Sequence, residues 1–542
     1  MKKLFVLDSV RLFISIIILL VISNPLLATD HPQHLRIPLM SGVPTLDPGL
    51  VEDVTSIEVV EQLFLGLTDF DPQSYEVVPE LATSWNQNKD GTVYTFNLRD
   101  DAYWTNGEKV TAHDIVWALQ RNIAPETQSP YANVLYPIKN AIEINKGKID
   151  DLTSLGVKAL DKYTIAFNLK APIAYFPALA GLWTYRPLPI ETVKKFGDDW
   201  ILPKNIVSNG SYQLDSWERD NFLIFKKNLS YYDVNLVKIK EVRFFIVPEA
   251  SRGLTMYENN ELDLIGTRYL SLPLPEIPRI KSDPILKREY RSQPSLATYY
   301  LAFNNQRYPT DNPLVRKAIA AVIDKEMIVQ KITKGNQIPA YTFTPPPVFG
   351  SVDPIEKIGI YFNPEQAKKW LKEAGFPNGE GFPTITYMHN ESEAHSQIAQ
   401  AIQAMLKFYL NINIELKTQE WRTYLKSTTR PDAPHMFRFG WFADYPDANN
   451  WLMDVFHPTK SLNRIRWQNR EFIEVTDKAQ TSSDKQLRKD LYKRAEKILC
   501  EEEAAIIPIY YYTAQFLIKP WLKNFQHIPF QGAHIRNWYF SR

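Results

Sequence analysis

From about residue 297 onward amphipathic helical segments alternate with short apolar strands, and this alternation most narrows the folds open to the chain. The stretches "DNPLVRKAIAAVIDKEMIVQKI" (311–332), "NPEQAKKWLKEAG" (363–375) and "SEAHSQIAQAIQAMLKFYL" (392–410) carry apolar residues at helical spacing. In the second, Asn363 is placed to cap the helix, Pro364 to open its first turn and Gly375 to stop it. "TITYM" and "INIELK" follow these helices as strands, the order of a mixed or parallel sheet with helices on its faces.

The earlier chain has two other textures. From Leu35 to about Leu188 short alternating segments dominate: "TVYTFNLR" (92–99) sets Tyr94, Phe96 and Leu98 on one face behind the turn "NKDG", which predicts one arm of a hairpin. In "TAHDIVWALQR" (111–121), Thr111 and Asp114 have capping-box spacing ahead of the apolar face of Ile115, Val116 and Leu119. After about residue 190, "VSNGSYQLDSWERDNFLIFKKN" predicts two strands around a polar turn, and "EVRFFIV" (241–247) a third. Three textures in 542 residues predict three domains, with clefts between them available as sites.

Composition removes several function classes. A formal net charge of +1 argues against a nucleic-acid binder, which would carry a basic face. Thirteen Trp, 28 Tyr and 28 Phe exceed what a core requires and suit aromatic ligand walls. At the N-terminus, Lys2, Lys3 and Arg11 precede the apolar run Leu12 to Ile22 and then Leu26-Leu27-Ala28, which predicts a secretory signal peptide over residues 1–28. The competing reading is an uncleaved anchor, since Leu26 suits a cleavage site poorly. With no cysteine near that site, a lipid-anchored mature N-terminus is excluded. The single cysteine, Cys500, follows the helical pattern of Leu487, Leu491, Ile498 and Leu499 and reads as a buried thiol, so no intramolecular disulfide can form.

No catalytic kit is evident. The chain has no G-x-S-x-G elbow, phosphate-cradling G-x-x-x-x-G-K-[ST], G-x-G-x-x-G or H-E-x-x-H, and His389 and His395, six apart, do not form a helical ligand pair. No metal site and no cofactor are therefore expected. Carboxylate pairs for glycoside hydrolysis are recognised by separation in space, so a secreted hydrolase stays open as the alternative class.

Against that background "FRFGWFADYPDANNWL" (437–452) stands out, because it sets Asp444 and Asp447 among Phe437, Phe439, Trp441, Phe442, Tyr445 and Trp451. A carboxylate in apolar company needs a cation or solvent. Either the loop is a wetted surface, or the cation comes from outside.

The stretches "VPELATSWNQNKDGTVYTFNLRDDAYWTNGEKVTAHDIVWALQR" (78–121), "NIVSNGSYQLDSW" (205–217), "LVRKAIAAVIDKEMIV" (314–329), "IPAYTFTPP" (338–346), "YFNPEQAKKWLKEAGF" (361–376), "QEWRTYL" (419–425) and "GWFADY" (440–445) together resemble the extracytoplasmic solute-binding proteins of peptide ABC transporters, family 5, and within them the oligopeptide-binding branch. The resemblance implies an α/β, two-lobed periplasmic binding protein fold of three domains: 29–64 with 190–296 and 512–542, then 65–189, then 297–511. It implies a monomeric, periplasmic binding protein without enzymatic activity that closes on an oligopeptide and delivers it to the permease and ATPase subunits of an ABC importer. Related members bind murein peptides, antimicrobial peptides or dipeptides on the same fold, so those ligands remain alternatives.

The same resemblance assigns residues. Asp444 matches the aspartate that takes the peptide's α-ammonium, an interaction every peptide offers whatever its sequence. Glu52-Asp53-Val54 and Gly440-Trp441-Phe442 match two strand edges that pair with the peptide backbone. Tyr131 matches a tyrosine lining the cleft, with plain packing as its other reading. Trp421 and Trp441 would wall side-chain pockets or else sit in the core. Arg438, His395 and Arg430 match positions that meet the peptide carboxylate, with extra residues between Trp421 and Arg438 shifting the match at Arg430. Arg438 could instead serve a structural ion pair. Asp447 reads as a solvated acid in a turn. Asp53 stands where relatives tend to have glycine and would either tune peptide charge preference or face solvent. Ala297 and Phe442 occupy neighbourhoods where some members place a disulfide.

Overall fold

The computed structural model describes residues 34–541 apart from 420, 460, 462 and 531. The predicted signal peptide and its cleavage at Ala28 lie outside the described residues. Among those residues no helix is long and apolar enough to cross a membrane.

The chain begins with strand β1 (Leu35–Leu39) and helix α1 (Val54–Leu63). It then builds an antiparallel sheet from β2 (Ala82–Gln87), β3 (Val93–Leu98), β4 (Val157–Asp161) and β5 (Thr164–Asn168), in the order β2-β3-β5-β4. The β2–β3 hairpin is the one expected from "NKDG". Helix α2 (Ala112–Ile123) lies between β3 and β4 in sequence and opens with the Thr111–Asp114 capping box, the Thr111 N–H donating to Asp114 Oδ2 at 2.8 Å. Strands β6 (Tyr212–Glu218), β7 (Phe222–Lys227) and β8 (Glu241–Ile246) then return to β1, giving the sheet order β1-β8-β7-β6.

The second half is a larger mixed sheet. Its strands are β9 (Leu264–Gly266), β10 (Tyr290–Phe303), β11 (Ile385–Asn390), β12 (Ile414–Gln419), β13 (Met436–Phe442) and β14 (Ile506–Ile518), ordered β9-β14-β10-β13-β11-β12, with the short strand Ile338–Pro339 also on β14. β10 and β14 are long antiparallel partners whose register breaks between Pro294 and Thr298. On one side of the break Tyr290 and Leu517 pack with Leu254 and Tyr257; on the other, Tyr299, Leu301, Ile507 and Ile509 belong to a separate core. The two strands thus link these two cores, while Leu296, Tyr300, Ala302, Ala514 and Phe516 on the same strands belong to a larger core that continues across the break.

The expected helix over 311–332 is interrupted. Asn312 caps a helix over Pro313–Ala321 as its spacing requires, but the Asp324 side chain accepts from the Met327 N–H and restarts the winding, which continues to Thr333 with wider, π-type turns. By contrast Asn363 caps Pro364–Glu373 as expected, and Gly375 follows at φ +95°, a conformation glycine adopts without strain. Cys500 is a buried free thiol. Ala297 and Phe442 lie directly opposite each other across β10 and β13.

Candidate functional site

The site is built along β13. Its whole length pairs with β10, from Phe303 opposite Met436 to Ala297 opposite Phe442, whereas β11 pairs with it only at Met436 and Phe437. Beyond Phe437 the β11 side of β13 is an open edge, where an extended backbone can add as a strand. Burial falls along this stretch: Phe439, Gly440 and Trp441 are half-buried and Phe442 is 55% exposed. A Cβ on Gly440 would sit 3.3 Å from the Tyr512 hydroxyl and 3.4 Å from an Arg438 guanidinium nitrogen, so the glycine keeps the edge uncluttered.

Asp444 lies just past the end of this strand, and no ion pair joins it among the described residues. Its carboxyl is held by Asn450, whose Nδ2 donates to Asp444 Oδ2 at 3.1 Å. The orientation of that amide is fixed from its other end, since Oδ1 accepts from the Asp444 N–H (2.9 Å) and from Trp441 Nε1 (3.2 Å). Burial raises the Asp444 pKa above the ordinary carboxylate value, and the Asn450 bond only partly counters it. Across from it sits Tyr131, whose phenol is pushed up to about 12, first by burial and then by the charges of Asp444 and Glu52. One phenol therefore senses both acids, although Glu52 and Asp444 lie nearly four hundred positions apart. The Tyr131 ring packs on Trp183 at 5.1 Å, and Trp183 Nε1 donates to the Val51 carbonyl at 3.1 Å, which pins the segment leading into Glu52.

Glu52-Asp53-Val54 is not the strand edge that the resemblance implied. Glu52 is exposed in irregular chain, Asp53 is the N-cap of α1, and Val54 is its first helical residue. The Asp53 carboxylate accepts from the Ser56 N–H (2.9 Å) and the Ser56 hydroxyl (2.5 Å), so it is turned toward its own helix.

At the other end of the open edge is Arg438, only 8% exposed. It donates through Nη1 to Asn390 Oδ1 and through Nη2 to the Tyr512 hydroxyl, both at 3.0 Å, and lies 5.0 Å from the Tyr299 ring centre. Its Nε has no partner, and no carboxylate pairs with it among the described residues. Helix α3 (Glu393–Leu410) brings His395 to the same place, its ring 5.6 Å from that of Tyr299. Burial, together with the positive charge of Arg438, lowers the His395 pKa to about 3, so at neutral pH it is a neutral hydrogen-bonding group and not the cation expected. Arg430 is exposed and paired with Asp432 at 3.0 Å, outside this grouping. Trp421 is the first residue of helix α4 (Trp421–Thr429).

Asp447 is a further correction. It is buried, not solvated, and Arg488 Nη2 approaches its two oxygens at 2.9 and 2.7 Å while the Tyr492 hydroxyl donates at 3.1 Å. The turn part of the reading holds, because Asp447 Oδ1 also accepts the Asn449 N–H at 3.0 Å.

Four residues of the site went unread in the sequence: Asn450, Asp454, Tyr299 and Tyr512. Asn450 and Asp454 are four apart on helix α5 (Asn449–Phe456), a spacing that puts both on one face and was open to detection. Tyr299 and Tyr512 come from β10 and β14 and meet Arg438 only through the fold. The first half of the chain reaches the same region through Tyr175, whose ring stacks on Tyr445 (5.0 Å, 9°) and whose hydroxyl accepts from Asn449 Nδ2 at 3.0 Å. No grouping of His, Cys, Asp and Glu among the described residues could hold a metal ion.

The periplasmic oligopeptide-binding protein OppA of Salmonella typhimurium is 34% identical over 93% of this chain and 91% of its own length. Among solved structures, the murein tripeptide binding protein MppA in its unliganded open form superposes with a TM-score of 0.83 at 32% identity, covering 94% of this chain and 97% of that one. Haemophilus influenzae OppA in complex with the peptide RPPGFSPFR superposes at 0.70 with 29% identity, covering 95% and 100%. These neighbours share the two-lobed fold. The model of the bacterial extracellular solute-binding proteins, family 5 (Middle), matches residues 76–463, and the chain belongs to that family.

Proposed function

We propose that this chain is a periplasmic oligopeptide-binding protein that captures short peptides between its two lobes and hands them to the permease and ATPase subunits of an ABC importer. The observation that carries the reading is the placing of two opposite charges, neither with an ion-pair partner among the described residues, at the two ends of one strand edge, Asp444 and Arg438. A peptide brings the missing cation at its N-terminus and the missing anion at its C-terminus, and its backbone can pair with the edge between them. Six residues of extended strand span roughly 20 Å. An extended tri- to pentapeptide covers roughly 10–17 Å, and the Arg438 side chain reaches inward to meet it.

In this reading Asp444 binds the ammonium, Gly440, Trp441 and Phe442 pair with or wall the backbone, and Glu52 and Tyr131 close over it from the first lobe. Arg438 meets the carboxylate, with His395 as a neutral donor beside it; the side chain of Trp421 lies outside the described residues. The proposed domains are 29–64 with 190–296 and 512–542, then 65–189, then 297–511, hinged at 294–305 and 506–512. The register break between Pro294 and Thr298 supports that placement. Export by a signal peptide over 1–28, a monomeric state and the absence of enzymatic turnover belong to the same proposal.

Native mass spectrometry of protein purified without denaturation tests it. A ladder of co-purified peptide masses is expected; a single discrete mass would indicate a specialised ligand, and peptides cleaved with turnover would overturn the reading in favour of a hydrolase.

A further inference from the structure

Asp444 does not stand alone. The Asn450 Nδ2 that donates to Asp444 Oδ2 at 3.1 Å donates equally to Asp454 Oδ2 at 3.1 Å, so a single amide bridges two carboxyl groups. Asp454 also accepts from the Tyr445 hydroxyl at 2.6 Å and from Asn449 Nδ2 at 3.4 Å. Neither acid has an ion-pair partner among the described residues. The charged and titratable groups facing them are Tyr131 and Glu52 from the first lobe, Tyr175 stacked behind Tyr445, and Asp447, which is paired with Arg488. His457, one turn further along α5, is paired with Asp477. Two desolvated carboxylates joined by one amide and lacking any cation cannot both stay ionised cheaply.

We propose that Asp444, Asn450 and Asp454 form one proton-exchanging ammonium site: the empty pair of acids shares a single proton, and a docking α-ammonium displaces it to solvent. Asp454 and Asn450 are then positioning residues that act through Asp444, and the site takes primary ammonium ligands in exchange for H⁺. Burial, with the neighbouring charges of Asp444 and Asp447, raises the Asp454 pKa to about 6 against the opposing hydrogen bonds, which puts the exchange within reach of ordinary buffers. The proton belongs to the pair, not to either residue alone. His395 titrates much lower, near 3, and stays out of this window.

The inference rests on the peptide reading above. Calorimetry of trialanine binding in two buffers of different ionisation enthalpy should show release of about half a proton at pH 6, rising toward one at pH 5, and an affinity about tenfold weaker at pH 5 than at pH 7. N-acetyl-trialanine should release none. Asp454→Asn should abolish both the release and the pH dependence; a variant that still releases the proton would put it on Asp444 alone and overturn the pair. Should that variant fail to fold, difference infrared spectroscopy of the wild-type protein decides: one protonated carboxyl band should titrate near pH 6 in the empty protein and vanish when trialanine is added at that pH. Trialanine binding with no proton release and no such band overturns the inference while leaving peptide binding intact. No trialanine binding at any pH overturns the peptide reading, and the infrared titration of the empty protein still settles the shared proton.

Discussion

Arg488 Nη2 bridges both carboxylate oxygens of Asp447, at 2.9 and 2.7 Å, inside a pocket where the two side chains are 6% and 7% exposed. This pair ties helix α7 (Lys485–Lys497) to the loop that carries Asp444, with α6 (Arg470–Thr481) between α5 and α7 in sequence. The loop that carries Asp444 is therefore anchored by a buried charge pair. Truncating one partner leaves the other charge desolvated and alone, so Arg488→Met should lower stability by about 3–5 kcal/mol. The double change with Asp447→Asn should recover part of that loss. Urea denaturation of the three variants checks the expectation, and equal loss in the single and double variants would show that the cost arises elsewhere.

Asp444→Asn should weaken binding of tri- to pentapeptides by about 2–5 kcal/mol, because a buried ammonium would lose its charged partner. N-acetylated peptides should bind the wild-type protein poorly for the same reason. Calorimetry with matched free and acetylated peptides distinguishes this from a role in folding alone; equal affinity for the two would remove Asp444 from the ammonium site.

Much of this arrangement was legible because it depends on local spacing. The Thr111–Asp114 capping box, the "NKDG" hairpin and the Asn363 cap follow from short-range rules that the backbone obeys nearly everywhere. Asp53 was legible too: an acid directly before an apolar helical run, with Ser56 three residues on, is an N-cap pattern, but the family match drew it toward the cleft. Other errors had no local signal. Asp447 finds Arg488 forty-one positions away, and the neutrality of His395 depends on Arg438 and on burial that only the fold creates. Charge state and pairing of a buried group are tertiary properties, and a sequence window holds neither.

Asp53→Ala should therefore cost about 1 kcal/mol of stability through loss of the α1 cap. Its effect on the ratio of affinities for Lys-containing and Glu-containing tripeptides should be negligible, since its carboxylate is engaged with Ser56. A changed ratio at unchanged stability would put the acid back in the cleft.

His395 predicts a pH effect on stability whose sign follows from its depressed pKa. Between about pH 3 and the unfolded value near 6.5, the unfolded chain holds a proton on this ring that the folded chain does not. Stability at this residue is complete above that range and is lost as pH falls through it. His395→Gln should flatten the acid limb of the stability curve between pH 6.5 and 4, measured by thermal unfolding. A saturating peptide should also flatten it, by placing a carboxylate near the ring and raising its folded pKa.

The last expectation concerns motion. The chain superposes on an unliganded open relative at 0.83 and on a peptide-bound one at 0.70, at similar identity and coverage. β10 and β14 run between two smaller cores and lose register at Pro294/Thr298, which makes that point the expected place of rotation. Closure would bring Glu52 and Tyr131 down on the open edge between Arg438 and Asp444 and exclude water from the ammonium. Small-angle scattering should show a smaller radius of gyration with a saturating tripeptide than without, and the melting temperature should climb with peptide concentration. Replacing Tyr175 with Ala removes its stacking on Tyr445 and its bond with Asn449, and should shift the empty protein further open while leaving the closed radius unchanged. If binding is confirmed and the radius stays constant, the lobes do not close, and the placing of Glu52 and Asp444 on opposing walls falls with it.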